Sequence, residues 1–189
     1  MPTEWTQERI REEFPSLQNV VYLNTGTNGL LPQRNYDSLV KKATEELTKG
    51  RSLLDRIDQV HDILTDARKT FATVLDSEQE EIALTHSATE GINIVLMGLT
   101  WQPGDEVITS KFEHPGVLDP VYHLQERYGV TIIETDIGSG DPLHEPLKIL
   151  EAALTQHTKA VVLSHVSWYS GRVLPIQELA ETTQQKSPH

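Results

Sequence analysis

From Ile82 onward, short apolar runs alternate with stretches of helical periodicity, and this alternation restricts the possible folds more than any other feature of the chain. Ile82-Ala83-Leu84, Glu106-Val107-Ile108-Thr109, Val130-Thr131-Ile132-Ile133 and Lys159-Ala160-Val161-Val162-Leu163-Ser164 have the length and aliphatic character of strands. Helical patterns fill the intervals, at about residues 87–99, 117–128 and 146–154, and a last one follows at about 175–185. Strands separated by helices pair in parallel through crossovers, and the sheet then carries helices on both faces. The expected fold class is therefore α/β, a parallel sheet of βαβ units. Ligands of such sheets bind beyond the carboxyl ends of the strands.

One of those strand ends has a specific shape. After Ile82-Ala83-Leu84 come Thr85-His86-Ser87-Ala88-Thr89-Glu90-Gly91, and then Ile92, Val95, Leu96 and Leu99 at helical spacing. Ser87 stands where an N-cap belongs, and Glu90 follows three residues later, the pattern of a capping box. A helix that starts this way leaves backbone N–H groups free at the positive end of its dipole, where an anion such as phosphate is favoured. Taken alone, Ser87 and Glu90 are better accounted for as a plain structural cap, since capping boxes are common.

The N-terminal part is helical in pattern. A short amphipathic helix is expected over residues 4–14, with Trp5, Ile10 and Phe14 on one side. Val20-Val21-Tyr22-Leu23 is a strand candidate leading into Asn24-Thr25-Gly26-Thr27-Asn28-Gly29, a loop able to take positive φ. Pro32 opens a helix running to about Gly50, with Leu39, Val40, Ala43 and Leu47 as its buried stripe, and a second covers about 55–75. Two domains are expected: residues 1–50, an N-terminal segment with helices, and residues 51–189, part of a larger α/β domain.

Composition excludes several functions. A formal net charge of −12 disfavours nucleic acid and anionic membranes as partners. No apolar run approaches the ~20 residues needed to span a bilayer, and the first residues are too polar and acidic for a signal peptide. The absence of cysteine rules out thiolate chemistry within these residues and fits a cytoplasmic setting. The eight histidines show no ligand spacing, so no metal site is expected.

The strand-end loops then supply His86 to Glu90, Glu113 to Gly116 and Ser164 to Gly171. A phosphate anchor beside His114, His165, Trp168 and Tyr169 suits a flat phosphorylated heterocycle. No Gly-x-Gly-x-x-Gly follows any strand, and no Gly-x-x-x-x-Gly-Lys-Ser/Thr is present, which disfavours nicotinamide cofactors and nucleoside triphosphates. For each histidine singly, a packed or hydrogen-bonded residue at a strand end remains the alternative.

Four runs in the chain resemble the class V aminotransferases, the pyridoxal-phosphate superfamily that includes cysteine desulfurases, cystine C–S lyases and isopenicillin N epimerase-like proteins. They are Thr85 to Asn93, Gly98 to Ile108, Glu113-His114-Pro115-Gly116, and Ser164 to Ile176. The resemblance extends from about Tyr22 to Leu179. It implies the large domain of a fold-type I pyridoxal-phosphate (PLP) enzyme acting on an amino acid, as a C–S lyase or transaminase, and a homodimer. It further implies that Ala88 and Thr89 bind the cofactor phosphate and that His114 stacks on the pyridine ring. Trp168 is placed where desulfurases carry an asparagine on the ring oxygen, and Thr25, Gly26 and Asn28 on the substrate side. Trp168 and the lack of cysteine point away from the desulfurases and toward the lyase and epimerase-like branch.

Two family elements are not found: an aspartate for the pyridine nitrogen and a Ser/Thr-x-His-Lys-like segment with the Schiff-base lysine. Lys41, Lys42, Lys49, Lys69, Lys111, Lys148, Lys159 and Lys186 all lie in other contexts. The chain is thus expected to be the truncated N-terminal half of such an enzyme, with no catalytic residue of its own. The competing expectation is a non-catalytic module that keeps a phosphate-binding crevice.

Overall fold

Val107 and Ile108 are adjacent in sequence and both fully shielded from solvent, though successive side chains of a strand point to opposite faces. A strand buried on both faces needs cover on both, and this one has it. β1 (Glu106–Ser110) lies between β2 (Thr131–Thr135) and β3 (Thr158–Val161) in an all-parallel sheet of order β2-β1-β3. The register sets Val107 beside Ile132 and Ala160, and Ile108 beside Ile133 and Val161.

This is a computed structural model describing residues 5–51 and 54–186, and the chain divides into two compact units, residues 1–84 and 85–189. The boundary expected at residue 50 falls inside the first unit. In the second unit, Val107 packs with Leu96, Trp101, Val121, Leu124 and Val130, a core on the face carrying α4 (Ala88–Gly98) and α5 (Pro115–Tyr128). Ile108 packs on the other face with Ile137, Leu150, Leu174 and Leu179, against α6 (Pro146–Ala153) and α7 (Ile176–Lys186). The α/β class and the parallel βαβ architecture read from sequence are therefore present.

Polar groups lock the sheet ends. The Trp101 indole donates to Leu96 O at 2.7 Å, closing the C-terminal end of α4. Lys159 pairs with Asp105 at 2.9 Å and lies 5.5 Å from the Trp101 ring centroid. Its hydrogen bond is the main reason the Asp105 carboxyl stays below its ordinary value.

The first unit is helical. α1 (Gln7–Glu13) is capped by Thr6, whose hydroxyl accepts from Arg9 N–H at 3.2 Å; residue 4, its expected start, lies outside the described residues. The Trp5 ring lies within cation–π range of the Arg9 and Arg34 guanidinium groups, 4.8 and 5.1 Å from its centroid. α2 (Gln33–Lys49) ends at Gly50, where φ is 83°, and α3 (Leu54–Leu75) follows; Arg51 and Arg56 both pair with Glu46.

Three expectations need correction. Residues 82–84 and 20–23 form no strands, because apolar alternation supplies one face of a strand but not a partner, and no described strand lies beside either run. Val21 and Leu23 are 88% and 90% exposed. The stripe on α2 is open rather than buried, with Leu39 and Leu47 63% and 86% exposed. Gly26 and Gly29 sit in their turn without positive φ.

Candidate functional site

The cap at α4 forms as its sequence suggests, with one change. Ser87 Oγ accepts from Glu90 N–H at 3.1 Å, but the Glu90 carboxylate reaches past the N-cap to His86. There it takes the backbone N–H at 2.5 Å and the ring Nδ1 at 2.9 Å. These bonds, the backbone one foremost, hold the Glu90 carboxyl below the ordinary value of 4.5. With Glu90 thus engaged, the N–H groups of Ala88 and Thr89 and the Thr89 hydroxyl have no partner among the described residues.

A second helix start lies against the first. His114 is the N-cap of α5, and its Nδ1 accepts from Gly116 N–H at 3.0 Å, which places the neutral ring's proton on Nε2. Gly116 has no room for a side chain: a Cβ there would sit 2.4 Å from Thr89 Oγ1 and 3.2 Å from His114 Nδ1. The N-termini of α4 and α5 therefore converge at Thr89. Two dipoles, free N–H groups and an uncommitted hydroxyl at one point make an anion cup.

The loop after β3 closes the other side. The His114 and Trp168 rings meet edge to face, 5.3 Å between centroids and 77° between planes, and Phe112 and Tyr169 lie 5.0 Å apart. Ser167 Oγ and Ser170 Oγ both donate to Gly138 O, at 2.9 and 2.7 Å, so the loop carrying Trp168 is tied to the one after β2. Gly138 holds φ at 83°, in the left-handed region.

Ala88, Thr89, His114 and Trp168 are thus brought to one crevice at the carboxyl ends of the strands. His165 and His86 lie exposed at its margins. Thr25, Gly26 and Asn28 belong to the first unit, on a turn in which Thr27 and Asn28 N–H donate to Asn24 O and Tyr22 Oη donates to Asn28 O at 2.7 Å. Sequence reasoning missed Glu113. It is 6% exposed, and both its oxygens are bonded to Ser164, from N–H and from Oγ, each at 2.6 Å. An acid at the end of a strand buried on both faces was the available signal.

A parallel α/β sheet with a helix-start anion cup and an aromatic flank belongs to the class of α/β folds that take a phosphorylated ligand at their strand ends. The family is specific: the model of the class-V aminotransferases matches residues 21–187, and the chain belongs to that family. A probable cysteine desulfurase of Methanothermobacter thermautotrophicus is 28% identical over 174 residues, covering 91% of this chain and 42% of that protein. One from Ureaplasma parvum is 31% identical over 123 residues, covering 64% of this chain and 31% of its own length. Among solved structures, C-DES with glycine covalently linked to its PLP cofactor superposes with a TM-score of 0.87 at 27% identity, covering 94% of this chain and 46% of that one. The cystine C–S lyase C-DES with its product cysteine persulfide gives 0.86, also at 27% identity, covering 92% of this chain and 46% of that one.

The chain spans less than half the length of these proteins. The lack of cysteine in these 189 residues therefore does not separate it from the desulfurases, as the sequence alone suggested.

Proposed function

We propose that this chain is the cofactor-phosphate half of a PLP-dependent class V enzyme that cleaves a C–S bond in a sulfur-containing amino acid. The observation that carries this reading is the cup: two unpartnered N–H groups and the Thr89 hydroxyl, packed against a residue that tolerates no Cβ. In it, Ala88 and Thr89 hold the phosphate, and His114 stacks on the pyridine ring, its Nδ1 kept in place by Gly116 N–H. Trp168, edge to face with His114, shields that side from water. Bound PLP supplies an electron sink for the substrate carbons; the chain's own residues bind and orient it.

The substrate class follows the relatives, which are described as desulfurases and a cystine lyase, and polarisable sulfur suits the aromatic flank of Trp168 and Tyr169. Thr25, Gly26 and Asn28 are assigned to the substrate side, and the assembled enzyme to a homodimer. None of Lys41, Lys42, Lys49, Lys69, Lys111, Lys148, Lys159 and Lys186 is the residue that carries the cofactor covalently.

Titration with PLP and with pyridoxal tests the phosphate reading. PLP binds, pyridoxal binds at least about tenfold more weakly, and Thr89→Ala narrows that difference by the share of the hydroxyl, the main-chain N–H groups remaining. Equal affinity for the two ligands refutes the phosphate cup. Borohydride treatment of the loaded chain fixes the cofactor at no single lysine; a stoichiometric adduct at one lysine would overturn that assignment.

A further inference from the structure

Glu113 is a buried carboxylate with no ion-pair partner among the described residues. A carboxyl group in such a place is costly unless its oxygens are hydrogen-bonded, and both oxygens here accept hydrogen bonds from one residue, Ser164. Glu113 ends the turn after β1, where its N–H donates to Ser110 O at 3.1 Å, and Ser164 lies just beyond β3. The pair is therefore a strap across the carboxyl ends of two adjacent strands. His114 is the next residue after the strap. On its far side α5 takes over, with Gly116 N–H on the ring Nδ1 and Val117 N–H on the His114 carbonyl at 2.8 Å.

We propose that Glu113 is a positioning residue for His114. Its carboxylate, fastened to Ser164, fixes where the imidazole stands relative to the Thr89 cup, and α5 fixes which ring nitrogen carries the proton. The strap also sets the distance between His114 and the loop bearing Trp168, because Ser164 begins that loop. Among the described residues, no other hydrogen bond joins Glu113 to the β3 side. This assignment rests on the cofactor reading above for the identity of the ring that His114 meets.

The test uses the full chain and two probes, inorganic phosphate, which reports the cup alone, and PLP, which reports the cup and ring contacts together. Glu113→Gln keeps shape and one acceptor for the Ser164 N–H, but replaces charge-assisted bonds by neutral ones and forces the Ser164 hydroxyl to turn from donor to acceptor. It lowers PLP affinity about tenfold or more and leaves phosphate affinity within about twofold. Ser164→Ala, which removes only the hydroxyl bond, lowers PLP affinity about threefold. The double variant matches Glu113→Gln alone, because the two changes break one strap. In the ring 15N spectrum, His114 keeps its Nε2–H tautomer in Glu113→Gln, because α5 still holds Nδ1, while its ring shifts move with the changed position of the imidazole.

Unchanged PLP affinity in Glu113→Gln overturns the assignment. So does an equal loss of phosphate and PLP affinity, since that marks a general weakening of the fold. An unaltered chain that binds PLP no more tightly than phosphate refutes the cofactor reading itself, and the assignment falls with it.

Discussion

The close approach of Gly116 to Thr89 yields a prediction whose magnitude follows from the geometry. In Gly116→Ala the new methyl would stand 2.4 Å from Thr89 Oγ1, whereas Thr89 Cβ, at 3.6 Å, is in ordinary contact. The hydroxyl must move and the helix need not. Rotation about χ1 carries Oγ1 out of the cup, and the 3.2 Å approach to His114 Nδ1 strains the cap of α5 as well. Overpacking of this kind costs about 1–3 kcal/mol, and the low end applies because a side chain can yield. Loss of one hydroxyl bond to a charged group lowers anion affinity about tenfold as well. Urea unfolding and a phosphate titration monitored by NMR measure the two effects separately. Gly26→Ala is the control, since nothing lies within 4 Å of its Cβ and its φ is not positive; its stability stays within about 0.5 kcal/mol of the unaltered chain. If Gly116→Ala leaves both stability and phosphate affinity unchanged, the two helix starts do not meet as described.

Other consequences are simpler. Ile108→Ala removes a fully buried side chain from the centre of the sheet and lowers stability by about 2–5 kcal/mol in denaturant titration. Because the folded Glu90 carboxyl is depressed, its contribution to the cap is present above the ordinary value of 4.5 and lost as pH falls through its lower folded value. The His86 amide shift therefore titrates with a midpoint below 4.5, and Glu90→Gln abolishes that titration. β3 pairs on one side only among the described residues, so the chain made alone self-associates through that edge. A monomeric sample in sedimentation at high concentration would count against it.

Periodicity was a sufficient guide wherever burial decided the structure. The runs around Val107, Ile132 and Ala160 became strands because each meets a neighbour in register, and α4 through α7 follow stripes that one face of that sheet covers. It failed at residues 20–23 and 82–84, whose pattern describes a face but says nothing of hydrogen-bond partners. The Leu39 and Leu47 stripe failed for the same reason, since an amphipathic helix announces that it seeks cover, not that cover is present. At the site, Ser87 was legible because a cap is a local pattern. The Glu113–Ser164 strap was not, because its ends are 51 residues apart and no local pattern pairs them.

Backbone and side chains divide the work of the crevice differently on its two sides. The cup at Thr89 is made mostly of main-chain N–H groups and helix dipoles, which almost any residue supplies provided the turn geometry holds. Only Thr89 and the missing Cβ of Gly116 are demanded by side-chain identity. The aromatic flank is the reverse case, since Trp168 and Tyr169 contribute rings and nothing in the backbone substitutes for them. Substitutions at the α4 start therefore change how tightly an anion is held, and substitutions in the 165–174 loop change what stands beside it. Trp168→Asn, which removes the ring that meets His114, leaves phosphate affinity unaltered and shifts ring binding alone. A parallel loss of phosphate affinity would show that the two halves of the crevice are not separable.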